Sequence, residues 1–212
     1  MAVISKGILG PFSGVVGTVI GGTWKGISYM RSRPLPVDRE PSLRQLEQRS
    51  RFTLMVRFLQ TLTPLVTVTF KDSAIQMSGF NAAFKYNNNS AITGTYPDFE
   101  IEFGNVLVSR GDLPNGLNPT AVPGAGAQIA YTWANNSGMG KAAATDKTVK
   151  VVYCPNRNQA IFDFGTGRST EADTIPVSGF AGQTVHTWLG FISENSKFVA
   201  TSVYTGAFSV PA

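Results

Sequence analysis

The sequence predicts a mainly β protein with one long helix near its N-terminus, a glycine-rich hairpin arm before that helix and an immunoglobulin-like β-sandwich after it. Three observations support this prediction. Seven glycines fall in residues 1–33, one stretch of helical apolar spacing follows residue 42, and short β-branched runs separated by turns begin near residue 127. The predicted regions are an arm with a proline connector (1–41), a helix with a β-rich middle (42–120) and a sandwich-like region (121–212).

The first 33 residues are predicted to form an arm that contains a β-hairpin. β-forming residues flank the pair Gly21-Gly22, and a two-residue hairpin turn needs the positive φ angles that glycine adopts freely. Because an isolated hairpin is marginal in water, the arm is expected to pack on the rest of the chain or on a neighbouring subunit. The residues expected to anchor it are Phe12, Val16, Val19, Trp24 and Tyr29.

A helix is predicted after the connector. Residues 34–41 contain three prolines, which favour an extended backbone. Ser42 and Gln45 then have the spacing of a capping box, and an apolar stripe continues to Leu62. Pro64 is expected to end this helix, because proline lacks the amide hydrogen that a helix interior needs.

Short elements are predicted between the helix and the sandwich. The alternating β-branched run 65–70 favours a strand, and residues 78–86 favour a short helix that the polar run 87–90 breaks. The remaining predictions are a strand over 99–103, more β structure at 106–108 and a long loop over 111–126. The sandwich strands are predicted at 128–133, 148–154, 159–164, 174–177, 184–192 and 198–208.

Positive charge is concentrated in the N-terminal quarter of the chain. The net charge is +5, yet residues 1–57 carry nine basic and three acidic residues, which leaves a net −1 on the remainder. Such a segment can attract phosphate or an acidic partner, and a solvated helix face with a few ion pairs explains the same pattern. The candidate contact residues are Lys25, Arg31, Arg33, Arg44, Arg49, Arg51 and Arg57.

The residues that catalysis needs are scarce. One histidine and one cysteine are too few for a zinc site, and a catalytic triad would need His186, which falls inside a predicted strand. The Gly-Lys pair at Lys141 lacks the flanking residues of a phosphate-binding loop. Asp98, Glu100 and Glu102 alternate as on a solvated strand face, although paired carboxylates also serve acid–base chemistry or a hard cation. We therefore expect no catalytic residue, no metal, no cofactor and no enzyme activity.

Short motifs are spread over the start, the middle and the end of the chain. They are residues 5–10, 12–14, 16–19, 24–26 and 31–34, then 80–83, 91–94 and 96–99, and finally 181–183, 185–186, 190–193 and 202–206. Together they resemble an uncharacterised family of Bacteroidota, a domain of unknown function. The resemblance covers nearly the whole chain and implies a source but no activity.

The favoured function is a non-enzymatic structural protein that self-assembles through its arm into an oligomer, a filament or a virion-like shell. A nucleic-acid-binding protein that uses residues 31–57 and a ligand-binding β-sandwich module are the alternatives. The expected partners are other copies of the chain, with nucleic acid as a second candidate. No membrane span and no signal peptide are expected, because six glycines interrupt the uncharged stretch 7–24, and the expected location is cytoplasmic or particle-associated.

Overall fold

The computed structural model describes residues 2–4, 7, 10–35 and 40–211, and the chain falls into two units, Met1–Ser42 and Leu43–Ala212. Parts of the motif at 5–10 and of the predicted connector 34–41 lie outside the described residues. The first unit is a four-stranded antiparallel sheet. Its strands, in sheet order, are β1 (Val3–Ile4), β2 (Phe12–Val16), β3 (Val19–Trp24) and β4 (Ile27–Ser32).

The turns of this sheet differ from the prediction. The hairpin turn expected at Gly21-Gly22 is wrong, because both glycines lie inside β3. The chain reverses instead at residues 17–18 and 25–26. In the second of these turns, Lys25 and Gly26 have φ angles of 45° and 84°. Two successive positive φ angles are what a type I′ hairpin turn requires.

The glycine pair inside β3 makes room for aromatic rings. A Cβ atom on Gly21 would collide with the backbone oxygen and the ring of Phe12. A Cβ atom on Gly22 would lie 2.9 Å from the hydroxyl oxygen of Tyr29. Because neighbouring residues of a strand face opposite sides of the sheet, one ring lies against each face of the bare backbone.

Three helices begin the second unit: α1 (Leu43–Gln60), α2 (Thr63–Thr69) and α3 (Gly79–Ser90). The predicted long helix is present as α1, but two shorter helices follow it, and the strand predicted at 65–70 is wrong because α2 forms there. Pro64 lies in the first turn of α2, where a helix needs no amide hydrogen, and α1 has already ended at Gln60. The buried hydroxyl of Thr69 lies 3.1 Å from the carbonyl oxygen of Leu65 and 2.8 Å from that of Val108, so its polar group is satisfied within the core.

The middle of the chain is partly as predicted. α3 confirms the short helix at 78–86 but continues through 87–90, where a break was expected. A hairpin follows, made of β5 (Ile92–Thr95) and β6 (Asp98–Ile101). The strand predicted over 99–103 therefore ends early, because a 3-10 turn begins at Phe103, and residues 106–108 are not a strand.

The rest of the unit contains β7 (Leu117–Gly124), β8 (Gln128–Ala134), β9 (Lys147–Cys154), β10 (Gln159–Gly167), β11 (Ala172–Pro176), β12 (Thr184–Ile192) and β13 (Val203–Ser209). These strands form two antiparallel sheets, ordered β10-β9-β12-β13 and β11-β8-β7. All six predicted sandwich strands are present, although the last begins only at Val203. The long loop predicted over 111–126 is wrong in its second half. β7 forms there as an edge strand, a position that tolerates Pro119 and Pro123.

Two buried clusters share the strands of the four-stranded sheet. Val151 and Trp188 face the helices, whereas their neighbours Val152 and Leu189 face the three-stranded sheet. This follows from the alternation of side chains along a strand. The two sheets therefore pack face to face, and the helices cover the outer face of the larger one. Apart from Ser42, the predicted regions 42–120 and 121–212 lie in one unit, and β7 crosses the boundary between them.

Candidate functional site

The arm sheet exposes apolar side chains on both faces. The strand register places Phe12, Val16 and Val19 on one face and Trp24 and Tyr29 on the other. Phe12 is half-buried, whereas the other four are exposed, from 37% for Val19 to 56% for Trp24. The five predicted anchor residues therefore belong to two surfaces rather than one.

The edge strand of the arm combines aromatic, apolar and cationic side chains. Ile27, Tyr29 and Arg31 share a face of β4, and all six residues of the strand are exposed. Among the described residues, β4 pairs with β3 alone. The backbone groups along its outer edge are thus available to a further strand.

The seven candidate basic residues are divided between the two units. Lys25, Arg31 and Arg33 belong to the arm, and Arg44, Arg49, Arg51 and Arg57 belong to α1. Within α1, Arg44 and Arg51 lie two helical turns apart on one face, whereas Arg49 and Arg57 lie on other faces of the helix. The helix therefore presents no single row of guanidinium groups.

Arg51 connects α1 to its neighbours. Its guanidinium lies 5.6 Å from the ring centroid of Phe99, and Nη2 donates a hydrogen bond to the carbonyl oxygen of Asn88 at 3.4 Å. Arg51 is half-buried, and its Nε and the Oδ1 of Asn88 have no hydrogen-bond partner in the part of the chain that the structure describes. This arginine thus packs within its own unit and is the least suited of the four to bind an external phosphate.

A groove of about 520 Å³ lies between α1 and β6. Leu54 and Arg57 form the α1 side, residues 99–101 form the β6 side, and Tyr153 and Asn158 close one end. Because successive residues of a strand face opposite sides, a groove that meets three in a row runs along the strand edge. Among the described residues, β6 pairs with β5 alone. The amide of Phe99 donates to the carbonyl oxygen of Pro97 at 3.2 Å, so the carbonyl of Phe99 and the backbone of Ile101 form the open edge.

His186 lies beside the groove in an aromatic cluster. Its ring stacks on Phe103, which also lines the groove, with the centroids 3.9 Å apart. His186 Nδ1 lies 2.8 Å from the hydroxyl oxygen of Tyr204. Burial lowers the pKa of His186, and the charge of Glu102 opposes that change. In a catalytic triad, the Nδ1 atom of the histidine contacts a carboxylate, whereas in this chain it contacts the hydroxyl of Tyr204. These contacts are those of a histidine packed in a strand rather than of a catalytic base.

A buried cation that the sequence analysis missed joins the two sheets. The Nζ atom of Lys150, on β9, lies 2.9 Å from Oδ2 of Asp173 on β11 and 3.2 Å from Oδ2 of Asp163. It also donates a hydrogen bond to the carbonyl oxygen of Thr174 at 2.8 Å. The available signal was a single lysine inside the otherwise apolar run 149–154. With all its neighbours supplied by this unit, the cluster is structural.

The predicted acidic residues Asp98, Glu100 and Glu102 are exposed on and just after β6. Within the described ranges, no group of three or more histidine, cysteine, aspartate or glutamate residues is arranged to hold a metal ion.

Of the helices that the structure describes, none alone has the length and apolar composition of a membrane span; α1 and α2 pass that test only together, across an 89° bend.

These features define a mainly β protein with an exposed arm sheet and a pair of facing sheets, the larger of which has helices on its outer face. The chain belongs to the DUF6266 family, a family of unknown function, whose family model matches residues 11–206. The family of unknown function expected from the motifs is thus confirmed, while an origin in Bacteroidota stays a prediction.

No curated protein matches the chain. Among solved structures, the chain is similar to the fn3 domain of the human collagen alpha-1(XX) chain. The sequence identity is 8%, the TM-score is 0.33, and the match covers 49% of this chain and 90% of that domain.

Proposed function

We propose that this chain is a non-enzymatic structural protein that assembles with other copies of itself through its arm sheet. The observation that carries the proposal is the exposure of large apolar side chains on the arm. Val16, Trp24, Tyr29 and Met30 are between 48% and 71% exposed. Covering apolar surface stabilises a protein by about 25 cal/mol per Å², so a sheet this open is strongly stabilised by a partner surface.

The second unit suits the role of the body of such an assembly. We propose an immunoglobulin-like sandwich for its two facing sheets, supported by the division of seven antiparallel strands into sheets of four and three. The ionic cluster around Lys150 joins those sheets directly. The body can thus keep its shape while the arm makes the contacts between copies.

The test compares the mass of assemblies formed by matched variants of the full-length chain. Trp24→Ser and Met30→Ser together remove apolar side chains from the two arm faces. Ile75→Ser removes a side chain that is 77% exposed in the second unit. Analytical ultracentrifugation is expected to find an assembly for the wild type and for Ile75→Ser, and a shift towards the monomer for the arm variant. A monomeric wild type, or an arm variant that assembles like the control, overturns the proposal.

Nucleic-acid binding by the arm is the second candidate. Tyr29 and Arg31 share an exposed face of β4, and single-stranded nucleic acid is bound by aromatic rings together with cations. The division of the basic residues between two units gives this candidate less support than assembly. Fluorescence anisotropy with labelled single-stranded DNA tests it. Binding that weakens steeply with salt and is lost in Arg31→Gln supports it, and no binding at low salt contradicts it.

A further inference from the structure

We propose that the arm binds the acidic hairpin of a second copy, with strand β4 of one chain adding to the open edge of β6 in the next. This inference rests on the proposed assembly through the arm and specifies its partner. It depends on three features of the chain: the charges of the two segments, their unpaired strand edges and the alternation of their side chains.

Charge selects the hairpin rather than a second arm. Residues 92–102 contain three acidic residues and no basic one, a net charge of −3. Residues 1–42 contain five basic and two acidic residues, a net charge of +3. Two arms therefore repel one another, whereas an arm and a hairpin attract, and opposite charge steers association and excludes like-charged partners.

Both segments have a strand edge with no neighbouring strand among the described residues. Among the described residues, β4 pairs only with β3, and β6 pairs only with β5. The edge of β6 borders the groove that Leu54 and Tyr153 line, so an added strand would have an apolar surface beside it. Addition of a strand to a sheet edge supplies backbone hydrogen bonds, and the side chains set the specificity.

Alternation of the side chains brings opposite charges together. Tyr29 and Arg31 lie on one face of β4, and Asp98 and Glu100 lie on one face of β6. When these faces are on the same side of the joined sheet, Arg31 of one copy lies beside an acidic residue of the next. Opposite charges on neighbouring strands stabilise the pairing, whereas like charges oppose it.

The contact joins two different surfaces, which determines the form of the assembly. Every copy has one arm and one acidic hairpin, so each copy binds one neighbour through each. Such a head-to-tail contact produces a ring when the rotation closes and a filament when it does not. A two-fold dimer held by arm–arm pairing is not expected.

Charge reversal in the full-length chain tests the contact. One variant carries Asp98→Lys and Glu100→Lys, so that arm and hairpin are both basic. The other carries Arg31→Glu and Arg33→Glu, which changes the net charge of residues 1–42 from +3 to −1. Each variant alone is expected to sediment as a monomer, and a mixture of the two is expected to recover the wild-type mass, because each arm then meets a hairpin of opposite charge. Asp72→Lys with Glu194→Lys is the matched control at exposed acidic positions outside the hairpin.

The outcomes separate this inference from the proposed function. If the hairpin variant assembles like the wild type while Trp24→Ser with Met30→Ser does not, the arm is the assembly surface and the hairpin is not its partner. If the control pair abolishes assembly as well, net charge rather than the hairpin is responsible, and the inference fails. A monomeric wild type overturns both the inference and the proposed function. Recovery of assembly on mixing, with an intact control, supports both.

Discussion

Arg168 and Asp146 form an ion pair that is closed to solvent. The Nη2 atom of the arginine lies 3.2 Å from Oδ2 of the aspartate, and the side chains are 0% and 1% exposed. The guanidinium also donates hydrogen bonds to Oδ1 of Asn136 at 2.6 Å and to the carbonyl oxygen of Pro114 at 2.8 Å. Burial lowers the pKa of Arg168, and Asp146 opposes that change, so the cation depends on this partner.

Removing the charge of Asp146 is expected to destabilise the second unit. In Asp146→Asn the shape is kept, but the guanidinium stays buried without a counter-charge, and such a loss costs about 3–5 kcal/mol. Asp72→Asn changes an exposed aspartate and is expected to alter the free energy of unfolding by less than about 0.5 kcal/mol. Urea denaturation followed by tryptophan fluorescence measures both. Equal stability of the two variants would contradict a buried charge pair.

Gly165 and Gly179 form a matched pair for testing the ionic cluster around Lys150. A Cβ atom on Gly165 would collide with Oδ2 of Asp173 and would lie 2.6 Å from both Lys150 Nζ and Thr148 Oγ1, whereas a Cβ atom on Gly179 would meet nothing within 4 Å. Because the lysine is held by Asp173, it has little freedom to move aside. Gly165→Ala is therefore expected to lower the free energy of unfolding by about 1–3 kcal/mol. Gly179→Ala is expected to be near neutral in the same denaturant titration. A comparable loss at both positions would attribute the effect to replacing glycine in the backbone rather than to the ionic cluster.

His186 is expected to make stability depend on pH in the mildly acidic range. Burial lowers its pKa in the folded chain, so below about pH 6.5 the unfolded chain binds more protons and folding becomes less favourable. This part of the stability is fully present above the unfolded pKa and is lost as the pH falls through the lower, folded value.

The comparison of the wild type with His186→Asn isolates that contribution. Asparagine keeps a polar atom near Tyr204 but does not titrate. Urea denaturation at about pH 8 and about pH 5 is expected to show a larger loss of stability in the wild type than in the variant. The carboxylates titrate in both chains, so their effect cancels in the difference. The same loss in both chains would mean that His186 does not titrate differently in the folded and unfolded states.

The sandwich was predictable because its strands carry a local signal. β12 has the predicted bounds, 184–192, since β-branched and aromatic residues fill both buried faces of a central strand. The run 65–70 has a similar composition but forms a helix. An apolar run of six residues fits either a strand or a helix, and which one forms depends on what Leu65, Val66 and Phe70 pack against. That information lies in distant residues.

The arm shows why the candidate site was only partly predictable. Composition predicts a separate arm, and four of its five predicted anchor residues are exposed, while their role in assembly stays a prediction. Their division between two faces depends on strand register, which the positions of the turns determine. The pair Gly21-Gly22 predicts one turn, whereas the chain turns at residues 17–18 and 25–26, so the predicted register does not give the two faces.

Asn87 is a second residue whose role depends on distant contacts. The polar run 87–90 favours a helix break, yet Asn87 is fully buried within α3. Its Nδ2 donates to the carbonyl oxygens of Ala83 at 3.0 Å and Leu107 at 2.9 Å, and its Oδ1 accepts from the amide of Leu107 at 2.9 Å. The side chain thus binds a segment that lies outside the strands in the described part of the chain.

Asn87→Ala is therefore expected to leave the part-buried amide and carbonyl of Leu107 without this partner. A fully buried group left unpaired costs about 1–3 kcal/mol, and partial burial reduces that cost, so the free energy of unfolding is expected to fall by about 1–3 kcal/mol in total. Asn89→Ala, at an exposed position of the same helix, removes the same side chain and is expected to raise stability slightly, because alanine is the better helix former. Opposite signs in parallel urea titrations would establish that Asn87 acts through its contact with Leu107, whereas two similar values would reduce its role to helix propensity.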